Sequence, residues 1–205
     1  MGYYLDPNLV AHGFLLGPDG HFTIINAPGK SLANDQGEGI YPTSINDQGE
    51  VAGQFVDANL ISHGFIRYPD GRLSLFDVRG AVPGAGQGTV GAGINSQGEV
   101  VGYYVDGNGA DHGFVRSCDG VITIFDVPGA GQGTMTYEKS INAAGEISGS
   151  YADSSGLEHG FVRACNGSIV TFDAPGAGVG QSFGTQGGRH QCGGSIHGIL
   201  WQLYQ

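Results

Sequence analysis

The chain has 205 residues, of which 40 are glycine and 8 are proline. So much glycine excludes a mainly helical protein. Charged residues make up only 13% of the sequence, whereas 40% is hydrophobic and 10% aromatic, so the composition favours a folded core over disorder. The net charge of −11, from 8 basic and 19 acidic residues, does not suit phosphate contacts, and we expect no nucleic-acid partner.

No apolar run approaches the length of a membrane span, so membrane insertion is not expected. The first residues, Met1 to Tyr4, have neither the basic nor the apolar stretch of a signal peptide. If the protein is exported, we therefore expect this sequence to be its mature part.

Taken in chain order, the sequence repeats its landmarks at intervals of about fifty residues. The tripeptide His-Gly-Phe recurs at intervals of 51, 49 and 47 residues, beginning at His12, His63, His112 and His159. The same intervals separate Asp6, Asp57, Asp106 and Asp153. An Ile-Asn-x-x-Gly-Glu segment begins at Ile45, Ile94 and Ile141. A period of this length, built from short apolar alternations and glycine turns, is typical of propeller blades or a solenoid.

Each repeat is predicted to form an antiparallel meander of four short strands. In the third repeat we predict strands at residues 89–95, 99–106, 112–116 and 121–127. Between the last two strands, Asp119-Gly120 favours a two-residue type I′ turn, which would place Phe114 opposite Phe125. The same construction predicts the pairs Phe14–Ile25, Phe65–Phe76 and Phe161–Phe172.

A charged pair also recurs at constant spacing. Three arginines each precede an aspartate by ten residues: Arg67 and Asp77, Arg116 and Asp126, Arg163 and Asp173. The first repeat has Leu16 and Asn26 instead, so both charges are missing together. This indicates a structural ion pair, either between neighbouring blades or around a strand end.

Both ends of the chain resemble the second strand of a repeat. Residues 194–200 align with a second strand, and so do residues 2–6, so the C-terminal segment supplies what the first repeat lacks. We predict an all-β fold, a closed β-propeller of four blades, each a four-stranded antiparallel sheet. The alternative takes His197-Gly198-Ile199 as a fifth tripeptide and gives five blades, the last one shortened.

The propeller is predicted to be a single domain, residues 1–205. Its repeats span about 1–43, 44–92, 93–139 and 140–183, and residues 184–205 close the ring. The three cysteines, Cys118, Cys165 and Cys192, cannot all pair. Because Cys118 and Cys165 occupy the same phase of successive repeats, we expect them to be too far apart for a disulfide and to be free thiols.

The repeat resembles a known family. The segment from Ile94 to Gly102, followed by His112-Gly113-Phe114, is similar to the HAF family of bacterial extracellular repeats, with their Ile-Asn-x-x-Gly-x-Val-Val-Gly segment and His-Ala-Phe tripeptide. The resemblance covers nearly the whole chain, with glycine in place of alanine in the tripeptide. It implies an exported, sheet-rich array, secreted or periplasmic, and carries over no catalytic residue.

Residues that every repeat contains are most simply explained by the fold. A histidine beside glycine can bond a loop carbonyl, the asparagine of Asn-x-x-Gly can bond the turn backbone, and an aspartate can cap a strand end. The segment from Asp106 to Asp111 faintly resembles a calcium loop but lacks the glycine and bidentate glutamate of an EF-hand. We therefore predict no metal and no cofactor.

Function is expected where the repeats differ, in the connections from a fourth strand to the next first strand, which emerge on one face of a ring. The candidate catalytic acids there are Asp35, Glu38 and Glu138. The candidate ligand-binding residues are Tyr41, Tyr137, Lys139, Arg189 and His190. Two further pairs, Cys192 with His190 and Ser195 with His197, lack a third orienting group for nucleophilic catalysis.

Carboxylates beside aromatic rings suit sugars, whose C–H faces stack while their hydroxyls are hydrogen-bonded. The leading hypothesis is a carbohydrate-binding module. One alternative is a small glycoside hydrolase that uses two of the acids as general acid and base. The other is a structural or protein-interaction array. Enzymatic activity and oligomeric state stay open at this point.

Overall fold

The computed structural model describes residues 1–26, 38–84, 86–130, 136–178 and 184–185, and for residues 136–139 it describes the backbone alone. Every regular element in this part of the chain is a β-strand, and there are fifteen of them. Consecutive strands within each repeat pair antiparallel, as in the predicted meander. The predicted all-β class is therefore confirmed. No helix in the described ranges is long and apolar enough to cross a membrane.

The strands form four successive antiparallel meanders, called sheets 1 to 4 below, although one parallel bridge between Ala11 and Gly39 joins sheets 1 and 2 into a single seven-stranded sheet. Sheet 1 contains β1 (Gly2–Leu5), β2 (Ala11–Leu16) and β3 (Phe22–Ile25). Sheet 2 contains β4 (Gly39–Ile45), β5 (Val51–Val56), β6 (Ser62–Arg67) and β7 (Leu73–Phe76). Sheet 3 contains β8 (Thr89–Ile94), β9 (Val100–Val105), β10 (Asp111–Arg116) and β11 (Ile122–Phe125). Sheet 4 contains β12 (Thr136–Ile141), β13 (Ile147–Ala152), β14 (Glu158–Arg163) and β15 (Ile169–Phe172).

The strands predicted in the third repeat are confirmed as β8 to β11, with ends shifted by one or two residues. The repeat boundaries at residues 43/44, 92/93 and 139/140 fall inside β4, β8 and β12. The chain passes from sheet to sheet before each of these strands begins. The sequence repeat and the sheet are therefore offset by several residues.

The hairpin between the third and fourth strands differs from the predicted two-residue turn. In sheet 3, Gly120 N donates to Ser117 O at 2.9 Å and Ser117 N donates to Val121 O at 2.9 Å, so the loop holds three residues. Gly120 has a φ of 93°, whereas Asp119 is not in the left-handed region. A type I turn followed by one left-handed residue is the usual three-residue hairpin loop. The predicted type I′ turn is wrong because a single residue, not two, takes positive φ.

The extra loop residue shifts the register of all four hairpins by one. The predicted phenylalanine pairs are therefore wrong, and the observed pairs are Phe14–Ile24, Phe65–Leu75, Phe114–Ile124 and Phe161–Thr171. The fourth-strand phenylalanine instead faces glycine of the tripeptide, as Phe76 faces Gly64. A Cβ atom on Gly64 would collide with the Phe76 ring. In sheets 2 and 4 the tripeptide thus needs glycine, because an aromatic ring covers the backbone of Gly64 and of Gly160.

Three apolar cores lie between successive sheets. The phenylalanine of each tripeptide in sheets 2 to 4 is fully buried in one of them: Phe65, Phe114 and Phe161. The core between sheets 2 and 3, for example, joins Ile66 and Val78 to Val100 and Phe114. Burial of a phenylalanine side chain contributes about 1.5–3 kcal/mol, so these cores hold the sheets together.

The first strands of sheets 2 to 4 lie against one another. Thr43 Oγ1 donates to Gly91 O in the next sheet at 2.9 Å. At the far end of the strands, the Asn46 side-chain amide donates to Asn95 O at 2.9 Å, and Asn95 repeats this bond to Asn142 O at 3.1 Å. Because each contact is a directional hydrogen bond, it fixes how one sheet is set against the next.

Candidate functional site

The two ends of each sheet carry different features. At one end of each sheet, the second strand turns into the third and the fourth strand leads to the next sheet. We call this the connection end. The opposite end, the turn end, carries the tight turns such as Asn46–Glu50 and Tyr68–Arg72. Because the strands alternate in direction, all described inter-sheet connections begin at the connection end.

The predicted acids are not displayed as a cluster on this end. Glu38 has 0% exposure, so it lies inside the protein rather than on a loop surface, and its carbonyl accepts a hydrogen bond from Ala11 N at 2.8 Å. Glu138 lies in strand β12, not in a connection, and its side chain is outside the described part, while Asp35 lies outside the described residues. Glu38 is therefore the one predicted acid whose environment is defined, and it is buried.

The predicted ligand-binding residues also belong to strands where they are described. Tyr41 lies in β4, and Tyr137 and Lys139 lie in β12, close to the starts of these first strands, and not in loops as predicted. Arg189 and His190 lie outside the described residues, as do Cys192, Ser195 and His197. Divergent sequence here marks the beginning of a strand as well as the connection before it.

Tyr41 meets an aromatic residue of the preceding sheet. Its ring lies edge to face with that of Tyr3, with centroids 4.9 Å apart and an interplanar angle of 64°. Tyr3 is 52% exposed, and Tyr41 is half-buried. Burial, and then the nearby Tyr3, raise the pKa of Tyr41 above its ordinary value, so the Tyr41 hydroxyl is neutral at neutral pH.

The same pair of positions recurs between sheets 3 and 4. Tyr3 and Tyr103 both face the glycine of the tripeptide on the third strand. Tyr41 and Tyr137 occupy equivalent positions in their first strands. In each strand, the residue just before the tyrosine faces an aromatic residue of the second strand. Between sheets 2 and 3 the corresponding residues are Gln54 and Val90. Tyrosines therefore occupy these two positions at alternate sheet interfaces, and the contact itself is seen for Tyr3 and Tyr41.

The repeated histidines make contacts that the sequence prediction missed. Nδ1 of each histidine faces an oxygen just after the fourth strand, at 2.9 Å in His63–Asp77, 2.6 Å in His112–Asp126 and 2.7 Å in His159–Asp173. In sheet 1 the partner is Asn26, at 3.0 Å from His12 Nδ1. The partners follow the histidine by a constant 14 residues, which is the signal that could have revealed them.

The other ring nitrogen faces the aspartate that ends the second strand. Nε2 lies 3.4 Å from the aspartate in His12–Asp6 and His159–Asp153, 3.5 Å in His112–Asp106 and 3.7 Å in His63–Asp57. The imidazole also stacks on an aromatic ring of the second strand, as His112 does on Tyr104 with centroids 5.1 Å apart. We call each histidine with its two partners a His clasp; it ties together the second, third and fourth strands at the connection end.

The predicted arginine–aspartate ion pair is therefore wrong. Asp126 is taken by His112, and Arg116 instead lies over the ring of Phe76 in the preceding sheet, 5.2 Å from its centroid. Arg163 lies in the same way over Phe125, at 4.9 Å. Such cation–π contacts are worth roughly 0.5–1 kcal/mol when exposed and more when desolvated. The arginine and the aspartate are both absent from the first repeat and both present in the other three, although they do not contact each other within a repeat.

Backbone hydrogen bonds favour the ionised form of the second-strand aspartates of the clasps. Each second-strand aspartate accepts hydrogen bonds from two turn amides; in sheet 3 the N–H groups of Ala110 and Asn108 lower the pKa of Asp106 to about 2. The predicted strand-end capping by aspartate is confirmed. Beside it, burial raises the pKa of Asp111 to about 6. No set of three or more metal-ligating side chains comes together within the described ranges.

The asparagines at the turn end also act as predicted. Asn46 Oδ1 accepts from Gln48 N at 3.1 Å and from Glu50 N at 2.9 Å, and its amide donates to Glu50 Oε2 at 2.7 Å. The repeated glutamates are thereby used by the turns of their own sheets. Cys118 and Cys165 are exposed free thiols, as expected, and Cys192 lies outside the described residues.

Together the sheets and their clasps define an all-β repeat protein built of stacked antiparallel sheets. No family model matches the chain, and no curated protein matches it. Among solved structures, a catalytically inactive virginiamycin B lyase from Staphylococcus aureus with quinupristin is similar, with a TM-score of 0.49 and 15% sequence identity over 85% of this chain. The match covers 55% of that chain, so the present chain spans about half of its length.

Proposed function

We propose that the chain is an exported, closed four-bladed β-propeller that binds carbohydrate at its connection end. Export rests on the resemblance to HAF repeats. Closure rests on the two outer sheets, and carbohydrate binding on the aromatic pair between sheets 1 and 2. These three parts are independent of one another.

The outer face of sheet 1 carries apolar residues that other sheets bury. Tyr4 is 44% exposed and Phe22 is 62% exposed. Phe14 is half-buried, whereas Phe114, its counterpart in sheet 3, is fully buried. In sheets 2 to 4 these positions contribute to the core shared with the preceding sheet. A closed ring would bury the same positions of sheet 1 against sheet 4 and the C-terminal segment.

The end of the described chain supports the same arrangement. Gly184 forms a parallel bridge with Glu158, as Gly88 does with Ser62 at the entry to sheet 3. Thr185 Oγ1 accepts a hydrogen bond from Ala174 N at 2.7 Å, as Thr89 Oγ1 accepts one from Val78 N at 3.0 Å. The chain therefore enters another first-strand position after sheet 4, and a first strand is what sheet 1 lacks. Five blades remain the alternative if a further sheet begins here.

The edge-to-face pair of Tyr3 and Tyr41 is the observation that carries carbohydrate binding. Rigid, partly exposed aromatic rings give sugar rings an apolar surface to stack on, and their hydroxyls give hydrogen-bonding partners. The pair joins two blades near the connection end, where the sequence diverges most. Its recurrence as Tyr103 and Tyr137 favours a module with more than one equivalent subsite.

A glycan array followed by calorimetric titration tests this function. We expect saturable binding that weakens about tenfold or more in Tyr3→Ala and in Tyr41→Ala, since each loses a stacking surface. The matched control is Tyr68→Ala, at the turn end, where the ring packs under Arg72 instead. Circular dichroism checks that each variant folds.

Two outcomes contradict the proposal. An absence of saturable binding to any glycan leaves the structural or protein-interaction array. Turnover of a glycoside panel that disappears in Glu138→Gln identifies a glycoside hydrolase instead.

A further inference from the structure

The His clasps of sheets 2 to 4 hold an imidazole between two carboxylates. A carboxylate only accepts hydrogen bonds, and a neutral imidazole has a single N–H to donate. In sheet 4, with His159 neutral, either Asp173 or Asp153 would face a nitrogen lone pair. With His159 protonated, both nitrogens donate, at 2.7 Å and 3.4 Å. The complete clasp therefore requires the imidazolium.

The clasp of sheet 1 differs from the others in one side chain, an amide in place of a carboxylate, so it serves as an internal control. Asn26 replaces the fourth-strand aspartate, and an amide can accept from Nδ1–H through its oxygen or donate to a bare Nδ1 through its nitrogen. The contact of His12 with Asn26 can therefore persist in both protonation states. The described residues thus contain three clasps with two carboxylates and one clasp with a carboxylate and an amide.

The fourth-strand aspartate stands directly before the passage to the next sheet. The residue after Asp173 is Ala174, whose amide donates to Thr185 Oγ1 at 2.7 Å. The residue after Asp77 is Val78, whose amide donates to Thr89 Oγ1 at 3.0 Å. Holding the aspartate therefore holds the first hydrogen bond of the connection, at the end where we propose that ligand binds.

We infer that the His clasps of sheets 3 and 4 are protonation-dependent locks: they hold the start of each inter-sheet connection more firmly when the histidine is charged and donates to both carboxylates than when it is neutral and donates to one. The inference does not depend on carbohydrate binding. It applies to any ligand bound at the connection end, because it concerns the order of the segments that form that end.

The electrostatics around the rings agree with this direction. Burial lowers the pKa of His159, but the hydrogen bonds and charges of Asp173 and Asp153 outweigh it, so the pKa lies above its ordinary value. His112 is raised in the same way against burial, by Asp126 and Asp106. A histidine whose pKa is raised on folding stabilises the fold below its unfolded pKa and loses that contribution as pH rises through its folded pKa. The clasps of His112 and His159 therefore tighten in acid and loosen as pH rises above neutrality.

Other charged groups lie near these rings. Asp111 adjoins His112, and Glu158 adjoins His159, each on the same strand. The Tyr104 and Tyr151 rings lie against the two imidazoles. From the preceding connections, the segment 78–82 packs against sheet 3 and brings Arg79, while the segment 127–130, against sheet 4, brings no charged residue. His159 is accordingly the simplest lock to test.

Hydrogen exchange of the Ala174 amide, followed by NMR on the full chain, measures the lock directly. Between about pH 5.5 and pH 8.5 we expect its protection, corrected for intrinsic exchange, to fall about tenfold or more as His159 loses its proton. Amides in the centre of β13 and β14 serve as the reference and should keep their protection. A parallel ¹³C-histidine titration gives the pKa of each ring.

The decisive variant is Asp173→Asn, which gives sheet 4 the clasp of sheet 1. We expect the protection of Ala174 to become independent of pH within about twofold. The matched control, Asp70→Asn, removes one exposed charge at the turn end and should leave the pH dependence as it was. Wild-type protection that does not change with pH overturns the inference, and so does an unchanged pH dependence in Asp173→Asn.

Discussion

Sheets 1 and 3 contain the same tripeptide in the same register, yet their phenylalanines differ in environment. Phe114 is fully buried between two sheets, whereas Phe14 is only half-buried. In both sheets the ring lies over a glycine of the second strand, Gly102 or Gly2. The comparison separates two effects: the repeat determines pairing within a sheet, and the neighbouring sheet determines burial.

The largest expected effect tests whether this difference persists in the whole chain. Phe114→Ala should lower the free energy of unfolding by about 3–5 kcal/mol, because it leaves a cavity in a packed core. If the ring is closed as we propose, Phe14→Ala should cost nearly as much, about 3 kcal/mol, in urea denaturation. A loss below about 1 kcal/mol for Phe14→Ala would mean that the outer face of sheet 1 stays open.

A smaller effect comes from the residue before the tripeptide histidine. Sheet 3 has the half-buried Asp111 where sheet 2 has Ser62, and burial raises the pKa of Asp111 to about 6. Because the folded state disfavours the charged form of Asp111, the contribution of this side chain to the free energy of unfolding falls as pH rises from about 4 to about 6. Asp111→Ser should therefore stabilise the protein at pH 7 by about 1 kcal/mol, after allowing for solvent screening.

The gain from Asp111→Ser should vanish near about pH 4, where the carboxyl is protonated in both states. Thermal unfolding at several pH values measures it. Asp47→Ser, at an exposed turn position, is the matched control. An equal gain at every pH would rule out burial of the charge as the cause.

The smallest effect concerns the loops between second and third strands. Leu9 and Leu60 take positive φ, 64° and 61°, where sheets 3 and 4 have Gly109 and Gly156. A non-glycine residue in this region costs roughly 1–2 kcal/mol, partly offset by the greater freedom of glycine in the unfolded chain. Leu60→Gly should therefore stabilise by about 0.5–1 kcal/mol, and Gly156→Leu should destabilise by a similar amount. Destabilisation by Leu60→Gly, or stabilisation by Gly156→Leu, in calorimetry would contradict this prediction.

Much of the fold could be predicted because the information is periodic. The strands of sheet 3 were predicted to within two residues, since alternating apolar residues and glycine turns mark each strand. The hairpin register was missed because one turn residue decides it, and Asp-Gly suits both a two-residue and a three-residue loop. The observed loop places Phe125 opposite Gly113, a pairing that the spacing of residues alone does not favour over the predicted one.

The candidate site was less predictable because it depends on which side chains meet across sheets. Glu38 looked like a loop acid and is buried, while Tyr3 was not singled out and meets Tyr41. The clasp partner of each histidine was visible as a constant spacing, yet the competing arginine spacing was equally constant. Geometry alone distinguishes the two, since His112 reaches Asp126 and Arg116 lies over Phe76.

By itself, the sequence determined an all-β array of repeated antiparallel strands, because the spacing of glycine and apolar residues is a local property of each repeat. It also determined that Asp106 caps its strand and that Asn46 closes its turn, since these bonds span a few residues. Only the tertiary structure decided the pairing of aspartate with histidine, the burial of Glu38 and the aromatic pair between sheets. Those contacts depend on how far each sheet is rotated and shifted against its neighbours, which many packed side chains set together.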